Sequence, residues 1–372
     1  MTTEASTDQF TSDLLVENAQ RLFTELCTKE TVNAAEAGHW PEALWNNLEE
    51  LGFPLVAVPE AQGGVGMNLA DAMTLVQLAG RHAAPVPLGE TIVAAWLLSQ
   101  AGLAVPAGPL AFAPADRRSK PVLRREKQHW SLHGTLRHIP WGNRVTTIAL
   151  VVETTDGVRL ACVDPTQATA TSGTNLAGEP RVHLEFDAVR VERVAPVPAA
   201  IQSNTPYLLG ALLRCLQMAG ALSMARDLAV RYTSERIAFG KPLNRLQAVQ
   251  QNLAVLAGQT AAAEVAASMA SDALRKLDTS VDCGAHKDLV ASVALAKIRI
   301  NEAAEIGARL AHQAHGAIGF TYEHQLHLAT RRLWSWRDEF GNNAYWSDLI
   351  GQRIVSNGHE GFWNFITQAA QL

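Results

Sequence analysis

A strong charge of one sign is missing from this 372-residue chain: 31 lysines and arginines meet 36 aspartates and glutamates, a net of −5. That balance gives no general attraction to nucleic acid or to an anionic membrane, so any polyanion must meet a local basic patch. Cysteine is scarce as well. The four, Cys27, Cys162, Cys215 and Cys283, form no C-x-x-C pair and no disulfide-like spacing, which excludes a disulfide framework and fits buried thiols in a reducing compartment. No segment reaches the roughly 20 uninterrupted apolar residues of a membrane span. The opening MTTEASTDQF carries acids and neither an apolar run nor an arginine-rich amphipathic pattern, so no signal or transit peptide is visible and a cytoplasmic location is expected.

What the chain does have is apolar bulk. At 48% hydrophobic residues it can bury a large core, and its length predicts two or three domains. Residues 1–108 read mostly as helix: Pro41 opens a turn, Leu44, Leu48 and Leu51 follow at helical spacing, and Gly52 ends it. The FPLVAVPEAQGGVG segment lacks the G-x-G-x-x-G spacing of a phosphate cradle and reads as a tight surface loop. Residues 109–200 change texture. VTTIALVVE and VRLACVD flank a Thr154-Thr155-Asp156-Gly157 hairpin signal, and RVHLEFDAVRV alternates Val182, Leu184 and Phe186 with polar residues, so a small β domain is expected before a proline-containing linker, VAPVPAAIQSNTP. Residues 201–372 return to helix. Leu208, Leu212, Cys215, Ala219 and Leu222 form one stripe, and alanine-rich runs at 254–275 and 291–311 suit a closely packed bundle.

Two stretches carry candidate chemistry. In ERIAFGKPLNRLQAVQ a helix stops at Phe239-Gly240 and restarts after Pro242, with Arg236 on the turn before the break. Such an elbow offers unpaired amides and one cation, which can hold a phosphate; an ordinary helix–turn–helix corner accounts for the same residues. The second stretch is HQAHGAIGFTYEHQLHLATRRLWSWRDEFGNNAYW. Its four histidines have no cysteine or carboxylate to complete a zinc set, its tryptophans and arginines read as a core edge with solvated cations, and Gly316 and Gly319 mark a bend where backbone approaches a helix or a planar ligand.

Taken in order, these features resemble the acyl-CoA dehydrogenase family. Arg236-x-x-Phe239-Gly240 with Gln247, then Gln313-x-x-Gly316-x-x-Gly319-Phe320-x-x-Glu323 and Arg331-Arg332, are similar to that family's C-terminal motifs. LGFPLVAVPEAQGGVG resembles its N-terminal LG…PE..GG.G stretch, and LHGTLRHI and HLEFDAVRV resemble two strands of its middle domain. The resemblance implies an α+β multidomain fold: a helical N-terminal domain, a β-barrel-like middle domain and a C-terminal four-helix bundle. It implies FAD between the middle and C-terminal domains with its ADP part reaching a neighbouring subunit, where Arg236 would hold the pyrophosphate, Phe239 would pack by the adenosine, and Gln247, Gln313 and Gly316 would contact the cofactor. The implied reaction takes an acyl-CoA to a trans-2-enoyl-CoA and passes electrons to electron-transfer flavoprotein. It needs a carboxylate base for the α-proton and two donors on the thioester oxygen, supplied in the family by a flavin ribityl hydroxyl and a backbone amide.

The departures from the family pattern concern that base. Its usual glutamate aligns with Phe340, ahead of Gly341, and an alternative position on the preceding helix falls at Gly210; neither takes a proton. Glu339 is the remaining candidate, offset by about 100° on a helix, with a surface pairing to Arg337 or another nearby arginine as its alternative. In the middle domain the family's T-E-P-x-A-G-S-D loop is replaced by the basic APADRRSKPVLRREKQHW, whose Arg117–Lys127 part could meet a CoA phosphate or simply be solvated, and the family's tryptophan and threonine are His138 and Pro140. Two readings follow: a self-sufficient FAD-dependent acyl-CoA dehydrogenase with Glu339 as base, or a non-catalytic subunit that completes the FAD site of a related chain in a homo- or hetero-oligomeric dimer of dimers. Bacterial members acting on bulky acyl-CoAs such as steroid side chains pair unlike subunits, and RRLWSWRDEFG resembles those chains.

Overall fold

The computed structural model describes residues 2–114, 121–127, 129–279 and 283–370. Five helices come first: α1 (Thr2–Leu26), α2 (Lys29–Glu36), α3 (Glu42–Glu50), α4 (Leu69–Arg81) and α5 (Leu88–Gln100). In α3 the helical stripe buries Leu44, Trp45 and Leu48, while Leu51, expected on that stripe, is 41% exposed because the helix has ended and Gly52 turns the chain at φ 72°. Helix α5 is buried on every side, as a helix in the middle of a layered protein must be.

Eight strands follow: β1 (Leu110–Ala113), β2 (Val122–Glu126), β3 (His129–Pro140), β4 (Thr147–Thr154), β5 (Gly157–Val163), β6 (Thr169–Thr174), β7 (Pro180–Val191) and β8 (Val194–Pro196). They form two four-stranded sheets, β1-β4-β5-β8 and β2-β3-β7-β6. The β4–β5 hairpin pairs Thr154 with Gly157. Alternation along the strands builds two cores at once: Ile148, Leu150 and Ala161 face Leu136, Val182 and Phe186 of the other sheet, while Leu110, Phe112, Ala149, Val151 and Leu160 join the helical core. Strand β8 takes up Val194–Pro196, so the expected linker begins as an edge strand paired to β5.

The bundle consists of α6 (Thr205–Glu235), α7 (Gln247–Thr279), α8 (Cys283–His315), α9 (Leu326–Asp338) and α10 (Asn343–Ala370), with a two-residue ribbon, β9 (Ile237–Ala238) and β10 (Lys241–Pro242), at the elbow. Helices α6 and α7 are long and apolar enough to cross a membrane by length and composition; α6 is 94% buried in that window as the central core helix, and α7 28%. Gly220 of α6 sits where a Cβ would come 2.1 Å from Gln77 O, and Gly80 of α4 is equally confined by Gln217, so the two backbones cross in contact. Cys215 is fully buried, whereas Cys27 and Cys162 are half-buried rather than sealed in the core.

Candidate functional site

The elbow is built as a projecting corner. Phe239 and Gly240 both take left-handed backbone, at φ 53° and φ 75°, which reverses the chain between β9 and β10 and leaves the Phe239 side chain 89% exposed. Arg236, Lys241 and Arg245 are exposed around it, and among the described residues none of the three has an ion-pair partner. Gln247 opens α7 and is exposed; Gln313 and Gly316 are exposed at the end of α8. The Tyr232 ring stacks on His315 at 4.8 Å, which ties the last turn of α6 to the last turn of α8 and sets the elbow beside the Gly316–Phe320 turn. Gly316 carries φ 66°, and at Gly319 a Cβ would press on His315 and Leu326 at 3.0 Å, so the close approach expected there is to the protein's own side chains.

The histidines beside this corner are stacking partners. His312 lies between Phe320, at 4.0 Å, and Trp334, at 5.5 Å, and His324 sits 4.5 Å from His315. Among the described residues no group of three metal-ligating side chains converges. Burial brings His324 down to about 4, with the charges of Arg231 and Lys29 and the nearby histidines adding to the effect.

The other half of the predicted site is closed. Gly210 on α6 and Phe340, the two positions aligned with a family base, are in contact: a Cβ on Gly210 would lie 2.3 Å from Phe340 Cε1. Phe340 is held at φ 52° with Gly341 at φ 98°, an uncommon backbone for a bulky residue, and its ring packs at 6.3 Å from Phe112 and 6.0 Å from Tyr207. The turn is anchored by Lys297, a fully buried ammonium on α8 that donates to Trp336 O at 2.8 Å and Arg337 O at 2.9 Å, capping α9. Burial lowers its pKa to about 8.

Glu339 is half-buried, 19% exposed, and its carboxylate is turned inward. It does not pair with Arg337, which pairs instead with Glu305 and lies 3.9 Å from Asp338. Glu339 Oε1 accepts from Arg181 Nη2 at 2.6 Å and from Asn175 Nδ2 at 3.1 Å, and its Oε2 accepts from Arg214 Nε at 2.7 Å. These contacts belong to one alternating string of buried charge. Arg214 Nη2 lies 3.0 Å from Glu90, Arg181 Nη2 3.1 Å from Glu179, Arg332 Nε 3.4 Å from Glu179 and Arg332 Nη1 3.1 Å from Glu36, which also pairs with Arg331. Arg332, read from the sequence as solvated, is 1% exposed, because its partners come from the helical and β layers on either side of α9.

Burial raises the Glu339 carboxyl, but Arg181, Arg214 and the Asn175 amide outweigh it and bring it down to about 2. A carboxylate so stabilised, with both oxygens committed to guanidinium groups, is a poor proton acceptor. The sign of its linkage to stability is fixed: its folded pKa lies below the ordinary glutamate value, so its contribution is complete above about pH 4.3 and disappears as pH falls toward about 2. Thermal melts between those limits are expected to show a loss on the order of 3 kcal/mol that Glu339→Gln, already lacking the ion pairs, does not show.

The chemistry these residues fit is therefore uneven. An exposed corner with unpaired cations and open backbone suits the anionic ADP end of a dinucleotide. On the side where a flavin ring would lie, Pro140 supplies no backbone donor and pairs with Arg181, whose guanidinium runs to Glu339 across the gap between sheet and bundle. The residues present do not fit a ring held by this chain's own middle and C-terminal layers. The Arg117–Lys120 part of the basic segment lies outside the described residues.

Comparison with known proteins agrees with this architecture. The patterns described as acyl-CoA dehydrogenase N-terminal domain and acyl-CoA dehydrogenase C-terminal domain match residues 11–104 and 207–355. The chain belongs to the acyl-CoA dehydrogenase family. It is 27% identical over 326 residues to acyl-CoA dehydrogenase IpdE2 of Mycolicibacterium smegmatis, covering 86% of this chain and 91% of that one. Among solved structures it is similar to a chain of the ChsE4-ChsE5 complex from Mycobacterium tuberculosis, with TM-score 0.81 and 21% identity over 95% of this chain and 97% of the other. The Tcur3481-Tcur3483 steroid ACAD is similar in fold too, with TM-score 0.77 and 22% identity over 98% of this chain and 100% of that one. As an acyl-CoA dehydrogenase relative, the chain has the flavoprotein fold of a family whose members bind FAD; what its sequence reading missed is the ion-pair string, whose members Arg181, Arg214 and Glu90 carry no motif.

Proposed function

We propose that this chain is the non-catalytic subunit of a mixed acyl-CoA dehydrogenase, and that its elbow completes the FAD site of a related chain that carries the base. The observation that carries the reading is the Phe340 ring seated on Gly210: the two places where this family holds a proton acceptor are spent on a ring and on the space that ring needs. The alternative, a self-sufficient dehydrogenase using Glu339, would require a carboxylate already gripped by Arg181 and Arg214 to abandon both.

In the mixed assembly the related chain would supply the base for the α-proton of an acyl-CoA, and bound FAD would supply the acceptor chemistry for the β-hydride. The product is a trans-2-enoyl-CoA, with electrons leaving to electron-transfer flavoprotein. This chain contributes charge and shape: Arg236 to the pyrophosphate, Phe239 against the adenosine, and Gln247, Gln313 and the Gly316 backbone along the same end. An oligomer of two unlike pairs in the cytoplasm is the expected form. The ChsE4-ChsE5 complex and the steroid ACAD, both of this fold, support a mixed assembly and a bulky acyl group.

The test is flavin counted per chain. Expressed alone, the chain is expected to be folded and colourless; co-expressed with a family member that has a glutamate at the position aligned with Phe340, it should yield a yellow complex. Arg236→Ala in this chain should then lower the flavin content of that complex about tenfold or more, since a lost charge-assisted contact costs about 1.5–3 kcal/mol. A chain that alone holds one FAD and bleaches it with an acyl-CoA overturns the proposal.

A further inference from the structure

Helix α7 carries two regular seams and packs one of them. Leu256, Thr260, Ala263, Ala267, Ala270 and Leu274, alternately four and three apart, are buried in the bundle against α6 and α8. On the opposite side Gln251, Ala254, Gly258, Ala261, Val265 and Ser268 repeat at the same spacing and are exposed. Residues 246–263 hold no charged side chain, and Val255 and Val265 stand 48% and 60% exposed. A helix face turned to water ordinarily carries charge, whereas a helix apolar on both sides is a covered one. The acid beside the bare seam, Glu264, is turned away to Ser223 and Arg226 of α6. Gly258, in the middle of the seam, has no reason inside the chain. At Gly210, Gly220 and Gly307 in the other helices a Cβ would meet a neighbour at 2.3, 2.1 and 2.5 Å, but at Gly258 nothing lies within 4 Å of that point. Glycine weakens a helix interior, so the position suits a backbone that approaches from outside.

We infer that the bare seam packs antiparallel on the α7 of a second copy of this chain, across a two-fold axis at Gly258. Charge selects both the occupant and its direction. Arg245, just before α7, and Asp272 are exposed, and among the described residues neither has an ion-pair partner. They stand nearly equidistant from Gly258, about 20 Å on either side along the helix. An antiparallel pair therefore sets the Arg245 of each copy beside the Asp272 of the other, twice over, whereas a parallel pair sets like charge on like. The next cations along α7 are engaged within the chain, Arg275 with Asp71 and Lys276 with Asp288. Arg236, which carries the proposed pyrophosphate contact, is left free for it. The inference goes beyond the mixed-subunit reading and does not depend on which chain holds the base; in a mixed assembly this contact joins two copies of this chain, and so two pairs.

The purified full-length chain would be followed by sedimentation equilibrium over a range of micromolar concentrations. A reversible dimer is expected. Val265→Glu, at an exposed position, should weaken it about tenfold or more while the circular dichroism stays that of the native chain. Gly258→Leu should do the same, since a leucine there meets nothing in its own chain. Asp272→Arg should weaken the dimer by about the same factor, because it turns two attractive contacts into two repulsive ones, and adding Arg245→Asp to that variant should restore it. A chain that stays monomeric, or a dimer that both Val265→Glu and Gly258→Leu leave intact, overturns the assignment. An α7 that pairs only with a related family member overturns the second copy as occupant, and a charge reversal that its counterpart does not rescue overturns the antiparallel pairing. Flavin counted in the same samples separates the two readings: a yellow dimer overturns the mixed-subunit reading and leaves the seam standing, whereas a colourless monomer overturns the seam alone.

Discussion

Arg214→Met is expected to leave the chain unfolded or insoluble at room temperature. Arg214 is 2% exposed along its side chain, Glu90 is equally buried beside it, and Glu339 takes one of its two guanidinium partners from it. Removing the cation strands the Glu90 carboxylate in the core. Breaking a buried pair in this way costs about 3–5 kcal/mol, a large share of the roughly 5–15 kcal/mol that holds a folded domain together. Methionine keeps most of the apolar stem, so the loss reports charge rather than volume. The double variant Glu90→Gln with Arg214→Met should regain part of the stability, because Glu339 retains Arg181 and no carboxylate is left alone. Denaturation midpoints of the single and double variants decide the matter: if the pair is as unstable as the single change, the guanidinium matters mainly through its packing, 5.5 Å over Phe340 and 6.0 Å over Trp336.

The string to which Arg214 belongs explains why some of the site was legible in the sequence and some was not. The elbow is local. Arg236, Phe239, Gly240 and Gln247 fall within a dozen residues, and their spacing with a glycine and a proline forecasts a break in a helix whatever the tertiary fold. The β4–β5 hairpin is local in the same sense. The charge string is not: Arg332 reaches Glu36 across 296 positions, and Glu339 reaches Arg181 across 158. Nothing near Arg332 in sequence says that it is buried, and the helical pattern of RRLWSWR fits a solvated arginine face as well as a buried one. Glu339 shows the same limit from the other side: the sequence put a carboxylate one place from where a base is needed, and only the guanidinium groups brought from β7 and α6 reveal that it is held as a structural anion.

Gly210 and Phe340 occupy a middle ground, and they give the second large effect. Each stands where the family pattern would put a base: a glycine in the second turn of α6, and a phenylalanine where a glutamate aligns. The contact makes them one fact, since the space left by the missing side chain is filled by the ring, 2.3 Å from where a Cβ would stand. Gly210→Ala in the native chain is therefore expected to destabilise by about 1–3 kcal/mol through overpacking, although alanine is the better helix former. Phe340→Ala alone should cost more, about 3 kcal/mol or above, by emptying the ring's site against Phe112 and Tyr207. In that background the sign of the first change should reverse. With the ring gone, Gly210→Ala meets open space and gains about 1 kcal/mol of helix propensity, so the four stabilities form a cycle with a coupling of about 2 kcal/mol or more. Chemical denaturation of the four proteins measures it. A Gly210→Ala penalty that persists without the ring would mean that something other than Phe340 crowds the position, and the case for a subunit closed against its own acyl-CoA would lose the contact on which it stands.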